Sequence, residues 1–64
     1  MLNIMISTIE KMQGNLDALR GDLDKFQKGN DSAGRRMRKS CSELAKACKD
    51  IRKDVQDVRA QRKD

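Results

Sequence analysis

Arg35, Arg36, Arg38 and Lys39 fall within five residues, and Lys46, Lys49, Arg52, Lys53 and Lys63 follow at intervals that suit a helix. Guanidinium and ammonium groups repeated in this way fit one chemistry above others: neutralising a phosphate backbone and releasing its condensed counterions. At about 100° per residue, with Met37 at zero, Arg38, Lys49, Arg52 and Lys63 project at roughly 60° to 120° and Arg35, Lys46 and Lys53 at roughly 160° to 180°. Glu43, Asp50, Asp54 and Asp57 project to the opposite flank, at roughly −100° to −160°. Separating the signs forgoes the few tenths of a kcal/mol that opposite charges contribute at i, i+4. The separation is useful where the basic flank meets a polyanion. Lys28, just before this segment, adds one more cation to the candidate nucleic-acid-binding set.

Other chemistries find no support. With His 0 and Cys 2 the chain lacks a ligand set for a structural metal. Cys41 and Cys48, seven residues apart on one helix, lie about 10.5 Å apart along its axis, too far for a disulfide within the helix. A packing role is the simpler reading for both. No nucleophile stands beside a base, and no glycine-rich loop follows a strand, so the expectation is no enzyme, no cofactor and no small-molecule substrate. Phe26 is the single aromatic residue, which leaves no platform for stacking unpaired bases. Gln56 and Gln61 are the only side-chain amides in the second half, too few to read base edges. The remaining partner is a nucleic-acid duplex, contacted through its phosphates and largely blind to sequence.

The elements that must hold these residues are helices. The 64 residues are 39% charged and 36% hydrophobic, with no proline, tryptophan or tyrosine. Leu2, Met5, Ile9, Met12, Leu16, Leu19, Leu23 and Phe26 recur at alternating intervals of three and four, and so do Met37, Cys41, Leu44, Cys48, Ile51, Val55 and Val58. Each series is a coiled-coil seam. They do not share a phase: extending the first predicts Ser40, Ala47 and Asp54 where the second has Cys41, Cys48 and Val55. Gly29, Asn30, Asp31, Ser32 and Gly34 lie between them, with Gly29 suited to the left-handed position past a helix end and Asn30 or Asp31 to an N-cap.

The expected fold is therefore all-α: an antiparallel helical hairpin forming one domain over 1–64, with helix 1 at about 3–28, a corner at 29–32 and helix 2 at about 33–62. Ser7 and Glu10 have capping-box spacing, which leaves the start of helix 1 open by one or two turns. Gly14 and Gly21 lie away from the seam and read as tolerated. So short a chain buries only roughly 60% of its unfolded surface, and narrow stripes on a lone helix pair bury little. A homodimer, or a higher homo-oligomer, completing a coiled-coil or four-helix bundle is expected. Leu16, Leu19, Leu23, Phe26, Met37, Cys41, Leu44, Cys48, Ile51 and Val55 are its candidate core.

Charge divides along the same line. Residues 1–34 carry four basic against five acidic side chains, net −1, and residues 35–64 carry eleven against five, net +6. The apolar opening "MLNIMI" is too short for a signal-peptide core or a membrane span. The expectation is a cytoplasmic protein with reduced thiols and no membrane partner.

Residues 28–53, "KGNDSAGRRMRKSCSELAKACKDIRK", resemble the core of the chlamydial-type, linker-histone-like family of bacterial nucleoid proteins. The resemblance is carried by Lys28-Gly29-Asn30, Ala33-Gly34, the cluster Arg36, Arg38 and Lys39, Glu43-Leu44, and then Lys46, Lys49 and Arg52-Lys53. It implies a small helical, nucleoid-associated protein that helps compact or organise the chromosome. In long members a lysine- and alanine-rich tail follows and carries much of the DNA affinity. The sequence ends at Asp64 and is read as a short, tail-less member, so that dimerisation matters more. Asp31 and Ser32 replace basic and alanine residues common in the family, and Arg35 adds a charge. The reading therefore places a phosphate clamp of Arg35, Arg36, Arg38 and Lys39 at the hairpin tip.

The rival reading is a structural or adaptor module whose seams recruit a partner helix, with flanking charges setting register. An anionic membrane surface is a weaker third possibility, because the stripe is narrow and lacks tryptophan.

Overall fold

In a computed structural model that describes residues 2–62, helix α1 spans Leu2–Gln27 and helix α2 spans Asp31–Gln61, with no strand among the described residues. The helices run antiparallel against each other as a hairpin 55 × 15 × 11 Å. Ser7 lies inside α1, so its spacing to Glu10 does not mark a start. The hydroxyl of the neighbouring Thr8 donates back to the Ile4 carbonyl at 3.0 Å, as hydroxyls inside helices do.

Two local devices make the corner. At the end of α1 the Gly29 N–H donates to the Phe26 carbonyl at 2.9 Å and the Asn30 N–H to the Lys25 carbonyl at 3.1 Å. This is the paired closure of a Schellman motif, and it requires a left-handed residue, which Gly29 supplies at φ 98°. Asn30 then turns extended at φ −86°, ψ 101°, and its side-chain oxygen accepts the Ala33 N–H at 3.2 Å. Such a cap contributes about 1 kcal/mol. Because Asn30 is the cap, α2 begins at Asp31, two residues before the expected 33. Asp31 becomes the acidic residue of the first turn, where the helix dipole favours it.

The facing surfaces alternate large apolar with small or polar side chains. From α1 they are Met5, Thr8, Met12, Asn15, Leu19 and Asp22, and from α2 Ala33, Met37, Ser40, Leu44, Ala47, Ile51, Asp54 and Val58, all buried or half-buried. Ser40, Ala47 and Asp54, the positions marked by extending the first repeat, thus turn toward α1. Their small or polar side chains let the backbones approach, and no described buried side-chain polar atom lacks a partner.

The helices come closest near the corner. Ala33 is fully buried, and a Cβ on Gly34 would fall 2.9 Å from Cε1 of Phe26, so the phenyl ring lies directly on the α2 backbone. Gly14 and Gly21 have no such neighbour: a Cβ on either meets nothing within 4 Å.

The remaining seam residues stay outside. Leu2, Ile9, Leu16, Leu23, Phe26 and Val55 are each at least 40% exposed, and the Cys41 and Cys48 thiols are free and exposed. The chain presents 5456 Å² to solvent, against about 4,200 Å² for a compact monomer of its mass.

Candidate nucleic-acid interface

α2 has an outward surface because Met37, Leu44, Ile51 and Val58 hold its opposite side against α1. That surface carries Arg35, Arg38, Lys39, Lys46, Lys49, Arg52, Lys53 and Arg59, all exposed, with Ser32, Ser42, Ala45, Gln56 and Ala60 between them. Eight cations thus share this surface, and the exposed Asp57, five turns beyond Lys39 and at the same angle, stands at its edge. Arg35 and Arg59 are separated by 24 residues, about 36 Å of helix and close to one turn of duplex DNA.

Asp31 stands at the start of the basic surface, beside Arg35 and Arg38, and the other acids of α2 gather on the far side of the helix. Glu43 and Asp50 line a groove with Lys11, Thr8 and Asn15 of α1 and with Lys46 and Ala47 of their own helix. Asp57 continues the column Glu43, Asp50 at the same spacing, and Asp54 is half-buried on the facing surface. Lys11 thus offsets part of the negative charge there, and the outward surface is predominantly basic.

The tip is less free than a clamp of four cations would be. Arg36 donates through Nε to Oδ1 of Asp22 at 3.0 Å, and the Asp22 side chain is only 12% exposed. Removing a partner from so buried a carboxylate costs about 1–3 kcal/mol, so Arg36 ties the helices together. Arg35, Arg38 and Lys39 remain exposed, with Arg35 within 3.5 Å of the Ser32 hydroxyl. Lys28 pairs with Asp24 at 3.2 Å, but both are well exposed and such a pair contributes only about 0.3–0.5 kcal/mol, leaving the ammonium available. Lys63 lies outside the described residues. Arg59, absent from the sequence-derived set, joins the outward surface. Its signal was the seven-residue spacing from Arg52 and fourteen more to Arg38, while its wheel angle near the apolar seam hid it.

The candidate core residues fall into two groups. Leu19, Met37, Leu44 and Ile51 lie between the helices, whereas Leu16, Leu23, Phe26, Cys41, Cys48 and Val55 are exposed. Phe26, Gly34, Met37 and Cys41 line a second groove at the corner end, bordered by Asp31, Arg35, Arg38 and Ser42. Among the described residues no cluster of potential ligands could hold a metal ion, and no helix is long and apolar enough to cross a membrane.

No curated protein and no solved structure matches the chain. A family model, histone H1-like protein Hc1, matches residues 6–61 and so takes in most of α1, the corner and all of α2. The chain belongs to the histone H1-like Hc1 family, whose character is that of DNA-binding nucleoid proteins and not of enzymes.

Proposed function

We propose that this chain binds duplex DNA without sequence preference, through phosphate contacts made by the outward surface of α2, and acts as a homodimer in organising a nucleoid. The observation that carries the reading is the row of eight exposed cations, about 36 Å long, on a rod stiff enough to lie along the duplex. Ammonium and guanidinium groups on a convex helix face reach phosphates, and the single amide between them, Gln56, is too little to read a sequence of base edges. A second copy would add a second row of outward cations and raise the affinity by effective concentration. The exposed apolar column of each helix supports pairing.

The test is fluorescence anisotropy on two duplexes of unrelated sequence across a salt series. With about five to eight phosphates neutralised, the slope of log K against log salt should lie near −4.5 to −7 on both. Replacing the outward column with Lys39→Gln, Lys46→Gln and Lys53→Gln should weaken both complexes alike and make the slope shallower by about three. Failure to bind at low salt would transfer the function to the adaptor reading, in which the apolar columns recruit another protein's helix.

A further inference from the structure

The apolar stripe of each helix does not point at the other helix of the hairpin. Its two columns, for example Met5, Met12 and Leu19 with Ile9, Leu16 and Leu23, have their midline about 50° away from the direction of the neighbouring helix, which lies between the Met12 and Asn15 columns. In α2 the Met37, Leu44, Ile51 column and the Cys41, Cys48, Val55 column show the same offset. A helix at the corner of a square four-helix arrangement has its core at about 45° to each neighbour. In both helices the offset turns to the same side of the hairpin, because Lys11, Glu43 and Asp50 occupy the opposite groove.

We propose that a second copy of this chain covers that side with its corner at the same end, so that each α1 packs on the α2 of the other copy. This rests on the homodimer of the preceding section and specifies its face and arrangement. The side is about 55 Å long and 15 Å wide, giving on the order of 800 Å² per copy, the area a stable interface takes from each partner.

Charge selects the arrangement. Beyond the apolar columns the outer edge of α1 carries Glu10, Asp17 and Asp24 with one cation, Arg20, while that of α2 carries Arg38, Lys49 and Arg52. A two-fold axis across the hairpin would set acidic edge on acidic edge and basic edge on basic edge. An axis along the hairpin sets α1 against α2 and opposite signs together.

The hairpin's register makes the second choice fit in detail. Asp22 beside Arg36 shows that residues at one level have numbers adding to about 58. An axis along the hairpin keeps levels, so Leu16 of one copy meets Cys41 of the other, Ile9 meets Cys48, and Leu2 meets Val55. Large side chains then face smaller ones throughout. Leu23 comes level with Gly34, against the ring of Phe26. Lys49 stands level with Glu10, and Arg38 comes level with Arg20, where Asp17 and Asp24 on either side offset the like charge.

The test combines mass in solution with disulfide trapping, both without DNA. The variant Leu16→Cys with Cys48→Ser, oxidised with copper phenanthroline, should give a covalent dimer whose peptide map joins position 16 to Cys41. A dimeric protein that cross-links position 16 to itself, Cys41 to itself, or nothing between copies overturns the arrangement and leaves the homodimer standing. A monomeric mass overturns both, and the salt series on DNA still reports separately on the binding surface.

Discussion

The two ends of the hairpin are built differently. At the corner end Ala33 is fully buried, Asp22 and Ser40 are nearly so, and every turn of chain from Lys25 to Ala33 is tied by a backbone or cap hydrogen bond. At the open end Leu2, Ile4 and Ile6 are 67%, 63% and 55% exposed. Leu2 stands level with about residue 56, so the last described turn of α2 has no described part of α1 beside it. The corner holds itself together through short-range contacts, whereas the open end displays apolar surface that only another molecule can cover. Stability is therefore concentrated at the corner and surplus hydrophobicity at the open end.

The contrast should appear in mutant stabilities measured by denaturant unfolding at fixed protein concentration. The largest effect is expected for Ala33→Leu, which forces three more carbons into a site with no exposed surface and should cost about 1–3 kcal/mol by overpacking. An unchanged midpoint would mean that the helices part there easily. Gly29→Ala comes next. A side chain at φ 98° should cost about 1–2 kcal/mol, read as a fall in Tm of roughly 4–16 °C for a domain of this size. At the open end Ile4→Ser should stay within about 0.5 kcal/mol, since the side chain is exposed and lies on the polar side of the hairpin. A loss comparable to that of Ala33→Leu would show that the open end is packed after all, and the comparison would fail.

Much of the fold was legible because it depends on local chemistry. Gly29 and Asn30 each have one conformation that their neighbours accept, and the three-four spacing of apolar residues can only be a helix face. The direction of that face was not legible. Periodicity gives the angle between residues on one helix and says nothing of where the neighbouring helix stands, so a stripe pointing between two neighbours reads as a seam pointing at one. Ser40, Ala47 and Asp54 fall out of phase with the second apolar series, and only the packed hairpin places them on the surface facing α1. Arg36 was grouped with its sequence neighbours because its partner, Asp22, is fourteen residues back on another helix. Register, which only the packed hairpin supplies, separates a cation that binds outward from one that braces inward. Gly34 belonged to a recognisable pattern without a reason, and the reason is the ring of Phe26.

The start of α2, next to the three residues between Gln27 and Asp31, also acts as an angular dial. A residue inserted within the first turn of α2, just past that corner, would turn the rest of the helix by about 100° about its own axis relative to its cap. One extra residue would carry the lysine columns toward a groove and swing acidic columns outward, with every side chain otherwise unaltered. In this molecule the sign of the exposed surface is thus encoded by the count of residues from the cap onward as much as by their identity.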